Sequence, residues 1–222
     1  MIGNPRDTES LDVEQEWGKI KDALSILETA GVLSLDRLET ATLSSLQRQL
    51  RQKQYHIFHF IGHGLYDNQQ GESLLIMEDE TGNSRFVSGE YLGTFLHDHR
   101  SLRLCLLNSC EGARTTLHDP FAGAAQGLVQ QGIPAVIAMQ FEITDKAAIA
   151  IAHEFYSALS DNYPIDAALT EARKALYAQG NDLEWATPVI YSRVHDSTIF
   201  RFRVSSYPIN NSFYLASNDV PR

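Results

Sequence analysis

The sequence predicts an α/β fold in which a mostly parallel central sheet lies between two layers of helices, a three-layer sandwich. Helix-like and strand-like segments alternate along almost the whole chain. The runs Leu102–Leu107 and Ile133–Met139 are apolar at nearly every position, as expected for parallel strands that are buried on both faces. A third strand-like run, His56–Ile61, ends at Gly62, where we expect a loop to begin.

The N-terminal part of the chain supplies a strand end, two helices and a short strand. Ile2-Gly3-Asn4-Pro5 has the form of the end of a strand and its turn, so we expect the sequence to be a piece of a longer chain. Leu11–Thr29 is predicted to be an amphipathic helix. Its apolar face consists of Trp17, Ile20, Leu24 and Leu27. A short strand at Val32–Leu35 and a second helix at Thr42–Lys53 follow.

The remaining elements are predicted from the same periods and from turn residues. Two short strands within residues 72–87 flank the turn Glu80-Thr-Gly-Asn83, and Ser88 is placed to cap a helix that runs to about Leu96. Further helices are predicted at Phe121–Gln131, Thr144–Leu159 and Ile165–Gln179, and further strands at Pro188–Val194 and Ile199–Val204. Residues 205–222 are rich in Ser, Asn and Pro, so we assign one domain to residues 1–204 and a tail or linker to the rest.

Composition limits the class of protein. The chain has 222 residues and a formal net charge of -10, which allows one full-size domain and disfavours a nucleic-acid binder. Two cysteines cannot form a disulfide framework, which favours a reducing, cytoplasmic location. The uncharged stretch Pro120–Phe141 is interrupted by Gly132 and Pro134, so we expect a soluble protein without a membrane segment.

Cys110 is the first residue that stands out at a predicted strand end, where ligands of open α/β sheets bind. It follows the buried strand that contains Cys105. A thiol in such a loop is accessible and can lie near free backbone N–H groups, which stabilise a thiolate and an oxyanion. The alternative is a buried core cysteine, which is the interpretation that we give to Cys105.

His63 is the second such residue, and it lies between Gly62 and Gly64. A histidine there can serve as a general base or acid, whereas the alternative is a loop histidine without a function. His63 precedes Cys110 by 47 residues, close to the spacing of about 50 in caspase-type pairs. A metal set that adds His56 and His59 is disfavoured, because strand alternation points these two side chains apart. We therefore expect no metal and no other cofactor.

Two motifs in this chain resemble those of a known family. Phe60-Ile-Gly-His-Gly64 and Leu107-Asn-Ser-Cys-Glu-Gly112 resemble the two catalytic motifs of CHAT domains, which are caspase-like cysteine peptidases often attached to TPR repeats. Further segments match in the same order, namely Gly123–Val129, Gly132–Ala138, Phe141–Asp145 and Trp185–Tyr191. The resemblance covers roughly residues 2–203 and implies a caspase-like sandwich whose first strand would begin before Met1.

The resemblance also implies roles for individual residues. Cys110 matches the nucleophile and His63 the base, and the backbone N–H groups of Gly64 and Cys110 correspond to the oxyanion hole. The chain departs from the usual family pattern with Glu111 after the cysteine and with Met139-Gln140-Phe141 after the next strand. Because the dyad is intact, we expect Glu111 and Phe141 to bear mainly on substrate preference.

Asp145 occupies the position at which the related separases place an acidic residue that meets a basic P1 side chain. A carboxylate in a pocket would favour Arg or Lys through charge-assisted hydrogen bonds. The alternative is that Asp145 simply caps a helix or supplies negative charge at its start. The hypothesis of cleavage after a basic residue depends on the first interpretation.

Two functions of different classes follow from the resemblance. The first is a cysteine endopeptidase that cleaves a specific protein partner in bacterial signalling or defence. The alternative is a catalytically weak interaction module on the same fold, regulated by an attached sensor or repeat region. A third possibility, a metal-dependent hydrolase that uses the histidines, predicts loss of activity with a chelator. The expected partners are a protein substrate and a sensor or TPR-type regulatory region, with no nucleic acid and no membrane.

Overall fold

The structure is a computed structural model that describes residues 1–38, 40–109, 122–141 and 143–203. Its helices are α1 (Val13–Thr29), α2 (Leu43–Gln52), α3 (Gly89–Leu96), α4 (Ala122–Gln130), α5 (Asp145–Ser160) and α6 (Ile165–Ala178). Its strands are β1 (Ile57–Asp67), β2 (Glu72–Glu78), β3 (Ser84–Ser88), β4 (Leu104–Ser109), β5 (Ala135–Met139) and β6 (Pro188–Ser192). A 3-10 turn, Glu184–Ala186, precedes the last strand.

The six strands form one sheet in the order β3-β2-β1-β4-β5-β6. The three central strands, β1, β4 and β5, are parallel. Ile57 of β1 lies opposite Leu104 of β4, and Leu104 lies opposite Ala135 of β5. The outer strands β2, β3 and β6 are antiparallel to their neighbours. The predicted α/β architecture with a mostly parallel sheet is confirmed.

Helices cover both faces of the sheet and bury two separate cores. One core lies under α1, α5 and α6 and includes Phe155. The other lies under α2, α3 and α4 and includes Phe60. Apolar residues of the central strands alternate between these cores, since successive side chains point to opposite faces. Leu104 and Leu106 thus belong to the first core, and Cys105 belongs to the second.

The helix cap predicted at Ser88 is confirmed, and Thr144, predicted as the first residue of its helix, is the cap of α5. The hydroxyl of Ser88 accepts a hydrogen bond from the Tyr91 N–H (3.1 Å), and the hydroxyl of Thr144 accepts one from Ala147 (3.3 Å). Such caps typically stabilise a helix by about 1 kcal/mol. The packing of α3 on α4 depends on Gly89, because a Cβ atom there would lie 2.3 Å from the backbone of Ala124.

Strand β1 is longer than the sequence predicts. We expected it to end at Gly62, but it continues to Asp67. The extension exists because β2 pairs with it, from His63 opposite Ile76 to Asp67 opposite Glu72. The parallel pairing of β1 with β4 does stop at Gly62, so the carboxyl edge of the parallel part lies where the sequence places it.

The N-terminal residues run beside β1. Ile2 forms a parallel bridge with Ile61. The N–H of Gly3 donates to the Ile61 carbonyl (2.7 Å), and the N–H of Ile61 donates to the Met1 carbonyl (3.0 Å). The prediction of a strand end at this position is confirmed. None of the described helices is long and apolar enough to cross a membrane.

Two predicted strands are wrong. Val32–Leu35 is irregular, because the N–H groups of Val32 and Leu33 both turn back to the carbonyl of Leu27 at the end of α1. Residues 199–203 are also irregular, although Ile199 and Phe200 are buried in the first core. In both segments the apolar residues reflect burial rather than sheet pairing. The predicted tail, residues 205–222, lies outside the described residues.

Candidate active site

His63 lies at the point where β1 changes partners. Gly62 is the last residue of β1 that pairs with the parallel strand β4, and His63 is the first that pairs with β2. His63 is 1% exposed. By strand alternation its side chain shares a face with Ile61, which packs in the core under α1 and α5. The predicted position in a loop is therefore wrong, because the strand continues on a different partner.

One backbone carbonyl determines the tautomer of His63. The Nε2 atom lies 2.7 Å from the carbonyl oxygen of Glu9. A carbonyl oxygen can only accept, so Nε2 carries the proton and donates it. In the neutral ring Nδ1 is then an acceptor with a free lone pair. Nδ1 is buried and has no hydrogen-bond partner among the residues that the structure describes.

Cys110 and Glu111 lie outside the described residues. The residue before Cys110 is Ser109, the last of β4, and its backbone is opposite Gly62 of β1. Cys110 and His63 are thus the residues that follow directly after the two members of one parallel pair.

Gly64, the predicted oxyanion donor, is buried in the antiparallel extension of β1. It lies opposite Leu75 of β2. It therefore belongs to a paired strand and not to a free turn, and the role of its N–H remains a prediction.

The two described residues predicted to contact substrate flank the start of α5. Phe141 lies two residues after β5 and is 59% exposed. Asp145 is the first residue of α5 and is half-buried, directly after the cap residue Thr144. The Oδ2 atom of Asp145 accepts a hydrogen bond from the N–H of Asp12 (3.3 Å). Asp145 thus lies in the first turn of α5 and does not cap the helix, because Thr144 does. Negative charge at the helix start and a contact with substrate both stay predictions.

Sequence reasoning missed a buried polar pair beneath the site. Asn108 is fully buried and lies on the face of β4 that α1 and α5 cover. Its Nδ2 donates to the Glu16 carboxyl of α1 and to the Ala148 carbonyl of α5 (3.3 Å). Glu16 is 2% exposed and lies one turn before Ile20 on the buried side of its helix. A glutamate on an apolar helical stripe was the available signal.

Burial alters the protonation of this cluster. Burial raises the pKa of Glu16 to about 7, although the hydrogen bond from Asn108 opposes the shift and Asp145 adds to it. Burial lowers the pKa of His59 to about 3, so that ring is neutral. The Nδ1 atom of His59 lies 3.1 Å from the Tyr156 hydroxyl, and its Nε2 lies 3.7 Å from Glu16 Oε1. Within the described part of the chain, no three side chains are grouped as metal ligands.

One short segment, residues 9–16, connects the site residues. It leads into α1 and begins the helix with Asp12, whose side chain accepts from the Gln15 N–H (3.3 Å). Its contacts run from Glu9 to His63, from Asp12 to Asp145 and from Glu16 to Asn108. The Glu9 carbonyl therefore contacts the predicted base, and the Asp12 N–H contacts the predicted specificity residue. The Glu16 carboxyl group contacts the end of β4 through Asn108.

Cys105 is a core residue, as predicted. It is fully buried in β4, opposite Phe58 of β1 and Val136 of β5. Burial raises the pKa of the Cys105 thiol, which disfavours the thiolate. The prediction that Cys105 is a buried core cysteine is therefore confirmed.

Comparison with known proteins identifies the family. The model of the CHAT domain matches residues 1–198. No curated protein matches the chain. The family match spans the sheet and the described helices, and it includes both motifs on which the resemblance rests.

Proposed function

Because the chain belongs to the CHAT domain family of caspase-like cysteine peptidases, we propose that it is an endopeptidase with Cys110 as nucleophile and His63 as base. The observation that carries the proposal is the state of the His63 ring. Its Nε2–H is held by the Glu9 carbonyl, and its Nδ1 lone pair has no partner among the described residues. A general base needs such a lone pair next to the proton that it removes.

The pairing of Gly62 with Ser109 supports the proximity of the dyad. Gly62 and Ser109 are the last pair of the two parallel strands, and in the sequence His63 follows Gly62 and Cys110 follows Ser109. Adjacent strands are about 4.8 Å apart, so side chains at this edge can approach to hydrogen-bond distance. We place the dyad at the carboxyl edge of the sheet, where open α/β folds bind their ligands.

The proposed reaction proceeds in two halves. The His63 Nδ1 takes the proton of the Cys110 thiol, and the thiolate attacks the carbonyl carbon of the scissile peptide bond. The C–N bond then breaks, the leaving amine takes the proton from Nδ1, and a thioester to Cys110 remains. Water, deprotonated by Nδ1, hydrolyses this thioester and regenerates the thiol. The Glu9 carbonyl stabilises the imidazolium by accepting its second N–H throughout.

Backbone N–H groups complete the proposed chemistry. Those of Gly64 and Cys110 would stabilise the oxyanion of the tetrahedral intermediate, a contribution that is large in enzymes of this kind. Asp145 would pair with a basic P1 side chain, while Phe141 and Glu111 would contact neighbouring substrate positions. The substrate is a specific protein, and a sensor or TPR-type region would control access to it in cytoplasmic signalling or defence.

A peptide-library cleavage profile tests this function. Wild-type protein is expected to cut after Arg or Lys, and the Cys110→Ala and His63→Ala variants are expected to cut nothing. Cleavage that persists in Cys110→Ala would contradict the proposed nucleophile. A profile dominated by Asp or small apolar residues at P1 would contradict the basic specificity but leave the dyad intact.

A further inference from the structure

The last residues of β4 are held differently from the rest of the strand. Pairing with β5 ends at Leu107 opposite Ala138, whereas pairing with β1 runs on to Ser109. Asn108 therefore lies just beyond the end of the β5 ladder and two residues before Cys110. Its side chain is fully buried between α1 and α5.

The Asn108 amide bridges three elements of the fold. A carboxamide has two N–H bonds on Nδ2, and here one points to the Glu16 carboxyl and the other to the Ala148 carbonyl (3.3 Å). The bridge ties β4 to α1 on one side and to α5 on the other. These side-chain hydrogen bonds thus hold β4 at the position where its pairing with β5 has ended.

A buried glutamate at position 16 is energetically unfavourable if its role is only structural. The other buried positions of α1 are apolar, namely Ile20, Leu24 and Leu27. A buried carboxyl group costs free energy unless hydrogen bonds compensate for lost water. An aliphatic residue would pack against the same core without that cost.

We propose that Glu16 is a positioning residue for the proposed dyad: by accepting the Asn108 hydrogen bond, it fixes the end of β4, the strand that leads in sequence into Cys110. The inference rests on the proposed function and extends it to a residue that does not touch the substrate. Since a displacement of about 1 Å of a reacting group can cost about 100-fold in rate, loss of this bond should affect the chemical step more than binding.

Three variants separate positioning from folding. Glu16→Ala removes the acceptor, while Glu16→Gln keeps an oxygen in the same place without the charge. Leu24→Ala is the matched control, because it removes core packing from the same helix about two turns after Glu16. The probe is an electrophilic peptide with arginine at P1, which alkylates the nucleophile and yields a maximal inactivation rate and an apparent binding constant.

For Glu16→Ala we expect the maximal inactivation rate to fall about 10- to 100-fold with an unchanged binding constant. Glu16→Gln should restore the rate to within about threefold, and Leu24→Ala should keep it. An unchanged rate in Glu16→Ala, or an equal loss in Leu24→Ala at a temperature where both variants are folded, would overturn the inference alone. Labelling of Cys110→Ala would overturn the proposed function, and the inference with it.

Discussion

The Nε2 atom of His63 and the carbonyl oxygen of Glu9 lie 2.7 Å apart, so a backbone group from outside the sheet sets the tautomer of the proposed base. The peptide carbonyl cannot change its protonation state, unlike an acidic side chain. It therefore holds the proton of the neutral ring on Nε2 and leaves the Nδ1 lone pair free.

Replacement of His63 should abolish catalysis without abolishing the fold. General-base catalysis contributes about 100- to 10,000-fold, so His63→Ala should lose at least 100-fold in probe labelling rate. His56→Ala is the matched control, because His56 is only partly buried, lies before β1 and has no assigned role. Labelling rates at pH 7.5, with circular dichroism as the check on folding, decide the prediction. Equal losses in the two variants would contradict the role of His63.

Asp145 should determine the preference for a positive P1 side chain. Two probes that differ only in arginine or its neutral isostere citrulline should react at rates that differ about 10- to 100-fold, as for a charged hydrogen bond. In Asp145→Asn this preference should disappear, while an amide oxygen can still accept from the Asp12 N–H. A preference that survives the substitution would show that Asp145 does not bind the P1 side chain and only supplies negative charge at the start of α5.

The buried carboxyl of Glu16 should make stability depend on pH. Its pKa rises from 4.5 to about 7 on folding, so the folded state holds the proton more tightly. This group therefore stabilises the fold fully below pH 4.5, and the contribution is lost as pH rises to 7. The full effect is on the order of 3 kcal/mol. The lowered pKa of His59 acts in the opposite direction, because its contribution is lost as pH falls from 6.5 to about 3.

Comparison of Glu16→Gln with wild type isolates the carboxyl, since His59 is present in both proteins. Urea unfolding at pH 5 and pH 8 should show that Glu16→Gln gains stability relative to wild type as pH rises. A difference in unfolding free energy that is the same at both pH values would show that Glu16 has an ordinary pKa in the folded protein.

Short-range patterns predicted most of the fold. The apolar runs around Leu106 and Ile137 identified the central strands, because a parallel strand that is buried on both faces is apolar at nearly every position. Ser88 marked a helix start through capping chemistry that is local in sequence. Val32–Leu35 and Ile199–Val204 had the same apolar character, but whether such a segment pairs or only packs depends on neighbours distant in the chain.

The site was predictable only in part for the same reason. The His63 and Cys110 motifs are local and could be recognised, whereas the Glu9 carbonyl has no side-chain signature. The contact between Glu16 and Asn108 joins residues 92 positions apart. The extension of β1 past Gly62 likewise depends on pairing with β2. The two glycines that flank His63 had suggested a loop there instead.

Cys105 should be inert in the folded protein. It is fully buried and burial raises its thiol pKa, so iodoacetamide should not modify it under native conditions. Alkylation should appear only on unfolding in urea, at the midpoint that circular dichroism reports. Rapid native modification of Cys105, read by peptide mass spectrometry, would contradict its position in the core.

The attachment site of the electrophilic arginyl probe tests the central claim most directly. Mass spectrometry of labelled wild-type protein should place the probe on Cys110 and leave Cys105 unmodified. Labelling should persist in Cys105→Ala, fall at least 100-fold in His63→Ala and vanish in Cys110→Ala. A probe attached to any other residue, or labelling that survives Cys110→Ala, would contradict a peptidase built on this dyad.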